Sequence, residues 1–91
     1  MPDSATSDVK ILYFSWIRER VGMGEETLGL PESVDTVEQL LSWLQGRNDQ
    51  FAAALEFPEI IRVALDQQHV DHDQPIGAPR EIALFPPMTG G

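Results

Sequence analysis

Hydrophobic residues change period several times along this chain, and each change marks an element. In DVKILYFS, Val9, Ile11 and Tyr13 alternate with Lys10, Leu12 and Phe14. That period of two predicts a first strand. SWIRERVGMGEE then predicts a short helical turn after Ser15, stopped at Gly22, with a Gly-rich return into a second strand at ETLGL. Beyond Pro31 the period becomes helical. Val37, Leu40, Leu41 and Leu44 fall at i, i+3, i+4 and i+7, and Thr36 stands as N-cap with Gln39 three residues on. Gly46 ends this helix, and DQFAAALE predicts a shorter one, broken at Pro58. Alternation returns in IIRVALD, where Ile61, Val63 and Leu65 oppose Arg62, Ala64 and Asp66. QQHVDHDQPIGAP predicts turns with one short strand, and REIALF the last strand. The main elements run strand, strand, helix, strand, strand. Such an order suits an α+β fold in which a mixed sheet grasps one main helix.

Strand parity carries the reading beyond the fold. If Val9, Ile11, Tyr13, Ile82 and Leu84 face the helix, then Leu12, Phe14, Ala83 and Phe85 face away from it. An open apolar sheet face is expected, and on a small domain it marks a partner surface unless a loop or the tail covers it. Trp16 and Trp43 are read as packing residues. The expected organisation is a polar, disordered N-terminus over residues 1–8, one folded domain over 9–85 and an extended tail over 86–91.

The chain has 91 residues and 42% hydrophobic content, which suits one small domain of thin stability margin. Fifteen acidic against six basic residues give a net charge of −9, so nucleic acid and anionic membrane are excluded as expected partners. The start, MPDSATSD, lacks the basic and apolar regions of a secretory signal, and a cytoplasmic location is expected. No cysteine is present, which removes disulfides, thiolate nucleophiles and Cys-based metal sites. His69, Asp71, His72 and Asp73 are metal-ligand types, but HVDHD reads as a polar connection, and no bound metal is expected. GMG at Gly22–Gly24 is a turn, too short for a phosphate loop.

The chemistry therefore falls to the closing stretch, FPPMTGG, from Phe85 to Gly91. Pro86 and Pro87 have no N–H to continue a ladder, so the strand stops and the tail projects. Gly90 and Gly91 lack a Cβ and fit a slot too narrow for other residues. A terminal carboxylate, with a pKa of about 3.5, is a poor electrophile until its oxygen is replaced by a better leaving group. ATP-dependent adenylation by a partner would supply one, and unbranched Gly91 leaves the carbonyl open to an incoming nucleophile.

FPPMTGG, VKILYFSWIRERVG and TVEQLL together resemble the small subunits of molybdopterin synthase, ubiquitin-like sulfur carriers, over about Val9 to Gly91. The resemblance implies a β-grasp fold. It implies that an E1-like adenylyltransferase, consuming ATP, activates Gly91, and that a sulfur donor protein replaces the AMP to give a thiocarboxylate. Within a heterotetramer of two small and two large synthase subunits, that sulfur would pass to cyclic pyranopterin monophosphate. The chain alone is then not an enzyme and holds no cofactor. By resemblance Gly90 and Gly91 carry the transfer, while Phe14, Phe85, Pro86, Pro87, Met88, Thr89 and His69 contact partners. Two departures bear on those contacts: His69 stands where an aliphatic side chain is expected, and GAPRE at Gly77–Glu81 replaces a more acidic turn. A carrier for thiamine thiazole and a ubiquitin-like modifier forming isopeptides share the tail chemistry and stay open as alternatives.

Overall fold

The alternation of the first segment becomes β1 (Asp8–Tyr13), with Val9, Ile11 and Tyr13 all but fully buried. The structure is a computed structural model, and it describes residues 8–87. Asp8, assigned by composition to the polar N-terminus, is the first residue of this strand and pairs with Gly29. A short helix, α1 (Ser15–Val21), follows at once. Gly22 closes it with φ of 87°, a left-handed conformation in which any Cβ is strained. The chain returns as β2 (Glu25–Gly29), antiparallel to β1.

The main helix, α2 (Val37–Gln45), begins where Thr36 and Gln39 predict it. Thr36 Oγ1 accepts from the Gln39 N–H at 3.3 Å, and Gln39 Oε1 accepts from the Thr36 N–H at 3.1 Å. Val37, Leu40, Leu41 and Leu44 all lie in the core, so the helical stripe is the face laid on the sheet. A shorter helix, α3 (Asp49–Ala54), adds Phe51 and Ala54, with Asn48 Oδ1 capping the Phe51 N–H at 2.9 Å. One 3-10 turn (Pro58–Ile60) leads into β3 (Arg62–Leu65), then β4 (Gln68–Val70) and β5 (Glu81–Phe85).

These strands form one mixed sheet in the order β2-β1-β5-β3-β4. Only β1 and β5, the first and last, are parallel, and they sit at the centre. The short strand in QQHV is a full member, pairing with β3 at the edge. Its two-residue turn, Asp66–Gln67, has φ of 49° and 72°, the pattern that usually selects Asn-Gly. Here Asp66 is held from outside: its Oδ1 accepts from the Arg80 and Glu81 N–H groups at 2.9 and 3.1 Å. Among the described residues no helix is long and apolar enough to cross a membrane.

One polar group sits against the core, and its position was not legible in the sequence. Register pairs Glu26 with Ile11, which turns Glu26 to the helix side of the edge strand. There its Oε2 accepts from the Tyr13 hydroxyl at 2.6 Å and from Arg47 Nη1 at 2.7 Å. Tyr13 is buried edge-on against Phe51, and the Arg47 guanidinium lies 4.7 Å over the same ring. Burial, then the Glu26 contact, pushes the Tyr13 hydroxyl well above its ordinary range. Burial pushes the Glu26 carboxyl up, but the hydrogen bonds from Arg47 and Tyr13 outweigh it and hold the group below its ordinary 4.5.

A folded-state value below the unfolded one stabilises the fold at pH above the ordinary carboxylate range, and that contribution is lost as pH falls through the folded value. Glu26→Gln should therefore cost about 1–3 kcal/mol in urea titrations at neutral pH. The gap from wild type should narrow on acidification below 4.5. A gap that is constant with pH would mean the ionised form of Glu26 contributes nothing.

Candidate functional site

The side of the sheet opposite α2 is built from the residues whose parity predicts it. Cross-strand register places Glu25, Leu12, Ala83, Ala64 and His69 side by side in one row across all five strands. Leu12 is half-buried, while Ala83 and Ala64 are 9% and 5% exposed. The expectation of a fully open apolar face thus needs correcting at its centre. Two short alanine side chains lie low between the larger Leu12, Phe85 and His69, forming a floor with raised sides.

The raised side nearest the end of β5 is aromatic. Phe14 is 46% exposed, just past β1, and its N–H donates to the Leu84 carbonyl at 3.1 Å. That bond keeps β1 zipped to β5 up to the root of the tail. Phe85 is half-buried and pairs in register with Arg62 of β3. The His69 ring stands edge-on to Phe85 at 5.1 Å between centroids. Phe14, Phe85 and His69 therefore share one sheet face. Arg62 flanks Phe85 as an exposed cation on a strongly acidic chain, a neighbour the strand period alone did not single out.

Pro86 and Pro87 continue from β5, half-buried and outside any strand. Met88, Thr89, Gly90 and Gly91 lie outside the described residues. The chain therefore leaves the sheet at its centre, beside Phe14, and not at an edge.

His72, the second histidine of HVDHD, is not on this face. Its Nε2 is 2.7 Å from the Ile61 carbonyl, and its own carbonyl accepts from the Glu38 N–H at 2.9 Å. It ties the connection after β4 to the start of α2 and the start of β3. Among the described residues no group of three or more His, Asp or Glu side chains is placed to hold a metal ion.

Mixed sheet, grasped helix and a tail leaving the central strand define the ubiquitin-like β-grasp class. Solved structures of that class superpose well. Small archaeal modifier protein 1 of Haloferax volcanii matches with a TM-score of 0.66 at 23% identity, over 90% of this chain and 99% of that one. The Methanosarcina acetivorans protein of the same name matches with a TM-score of 0.66 at 20% identity, over 97% and 100%. These likenesses establish the fold.

The family follows from sequence: the ThiS family model matches residues 11–91, and the chain belongs to the ThiS family. The molybdopterin synthase sulfur carrier subunit of Escherichia coli (strain K12) is 35% identical over 83 residues, 91% of this chain and 99% of that protein. The subunit of the same name from Haemophilus influenzae is 31% identical over the same shares of each chain.

The two histidines should separate on mutation. His72→Ala removes the contact with the part-buried Ile61 carbonyl just ahead of β3 and should cost about 1–2 kcal/mol of stability. His69→Ala, on the exposed face, should stay within about 0.5 kcal/mol of wild type in the same denaturant titration. Elemental analysis of untagged protein should find no stoichiometric metal. One tightly held ion per chain, or equal costs for the two substitutions, would contradict this placement.

Proposed function

We propose that this chain is a sulfur carrier of molybdenum cofactor biosynthesis, working as the small, sulfur-donating subunit of molybdopterin synthase. What carries the reading is that relatives bearing the name sulfur carrier subunit align along nearly their whole length, while the family model runs through Gly91. The position of the tail root beside a recessed apolar face supports it. A partner that seats Leu12, Phe14 and Phe85 receives Pro86 and Pro87 at a fixed place, so binding energy from the face is spent on aiming the tail.

The chemistry then runs on the carboxylate of Gly91. An oxygen of that carboxylate attacks the α-phosphorus of ATP on an E1-like adenylyltransferase, forming the acyl adenylate and releasing pyrophosphate. Sulfur at the sulfide level, delivered by a sulfur donor protein, adds to the carbonyl carbon and expels AMP, leaving a thiocarboxylate. In complex with the large synthase subunit, in a heterotetramer of two small and two large chains, the terminal sulfur is transferred to cyclic pyranopterin monophosphate. Cofactors are consumed by the partners and none is held by this chain, which is not an enzyme by itself. ATP-dependent activation fits a cytoplasmic location. Gly90 and Gly91 carry the transfer, and Met88, Thr89 and His69 contact the partner.

Incubation with ATP, an E1-like enzyme and a sulfur donor should add the mass of one oxygen exchanged for sulfur, confined to the C-terminal peptide. Deleting Gly91, or extending the chain beyond it, should abolish that gain and leave thermal stability nearly unchanged. A deleted or extended chain that still acquires sulfur and still yields molybdopterin would refute the reading. Lysine-linked adducts would point to a modifier, and capture of a thiazole synthase to the thiamine pathway.

Phe85→Asp tests the face. Its side chain lies on the outer surface of β5, so circular dichroism should be unchanged, while an unpaired carboxylate buried in the interface raises the Kd for the large subunit at least about a hundredfold. Wild-type affinity would remove Phe85 from the contact, and an unfolded variant would make it a core residue.

A further inference from the structure

A second surface lies around the β4 edge of the sheet and meets the recessed face at Arg62. Two depressions, each of about 480 Å³, adjoin there and share Glu59 and His72 in their walls. One begins at Pro87, the last described residue, and runs past Val70 and Ile60. The other continues over Pro58 and Leu41 to the first turn of α2 at Glu38. Together they make a groove rather than a closed pocket, the shape for a chain segment and not for a small metabolite.

Its chemistry is specific in two ways. Ile60, a large aliphatic side chain 42% exposed, lines the first depression next to Glu59, which the two depressions share. The exposed carboxylates in the groove's walls are Glu38, Glu59 and Asp71; among the described residues Arg62, at the tail end, is the one Lys or Arg that lines it, and the His72 ring is engaged by the Ile61 carbonyl at 2.7 Å. An exposed isoleucine set among exposed carboxylates, on a chain of net charge −9, complements a segment with an apolar anchor and lysine or arginine beside it.

We propose that this groove docks a basic, apolar-anchored segment of a partner protein, with Ile60 as its anchor and Glu38, Glu59 and Asp71 as its charge partners. The groove is contiguous with Pro87. A segment seated in it reaches the root of the tail from the side opposite Phe14, so one partner can hold the tail between two surfaces, or two partners can approach it together. This goes beyond the sulfur-carrier reading and does not depend on it, because it uses no atom of Gly91.

The test uses the isotope-labelled full chain at physiological ionic strength and a short amidated peptide alternating leucine with lysine. A version with glutamate for lysine is the control. Saturable amide shifts are expected at Glu38, Glu59, Ile60, Asp71 and His72, with none from the acidic peptide. Glu59→Lys and Ile60→Ser, both at exposed positions, should each raise the peptide Kd about tenfold, while the same charge reversal at the opposite edge of the sheet, Glu25→Lys, should leave it unchanged. Shifts centred on Lys10, Leu12, Ala83 and Phe85, absence of saturable shifts, or a Kd indifferent to both groove variants would overturn the proposal. Failure of sulfur loading at Gly91 would leave the peptide map untouched, so the two readings fail separately.

Discussion

Everything functional in this molecule depends on the parallel pairing of β1 with β5. A parallel pair cannot be closed by a tight turn, so the whole chain between the two strands must cross over, and that crossover carries the helices. The consequence is that the first and last strands lie side by side at the centre of the sheet, with Lys10 to Tyr13 opposite Glu81 to Leu84. A tail leaving an edge strand would start far from most of the sheet. Leaving the central one, it starts between Phe14 and the β3 strand that carries Arg62, so the outer face and the tail root form one unit.

That unit is held rigid from behind. Ile11, Tyr13, Ile82 and Leu84 bury fully against Leu40, Leu41 and Leu44 of the helix, so displacing either central strand would open the core. Dispersion and hydrophobic burial supply the energy, while the Tyr13–Glu26–Arg47 contacts fasten the β2 edge to the loop between the two later helices. The outer face can then stay thinly covered without loss of stability. Its low centre of Ala83 and Ala64, with aromatic and aliphatic neighbours around it, is a shape that requires a complementary partner to become dry.

Much of this was legible in the sequence, for physical reasons that differ by element. The main helix was readable because its cap and its apolar stripe agree, and the structure forms both the Thr36–Gln39 box and the buried Val37–Leu44 face. Parity in β1 and β5 located the outer face, since a period of two leaves no freedom once one side is buried. The recessed alanines were not legible as recessed, because their burial comes from neighbours on other strands: Leu12, His69 and Phe85. Glu26 carried no signal either, since its hydrogen bonds come from residues 13 and 21 positions away. The β4 hairpin was read only as a short strand among turns, because Asp66–Gln67 lacks a glycine and is held in place by contacts to Arg80 and Glu81.

In the proposed sulfur-carrier role, the face fixes the distance over which the tail can deliver its terminal group. Inserting Gly-Ser after Pro87 tests it most directly, because the insertion alters reach without touching the face, the core or the last residues. With the terminus preloaded as thiocarboxylate, affinity for the large synthase subunit should stay within about twofold of wild type, while the rate of molybdopterin formation falls at least about tenfold. An inserted chain that binds and transfers sulfur at the wild-type rate would contradict the claim that the sheet face sets the position of Gly91.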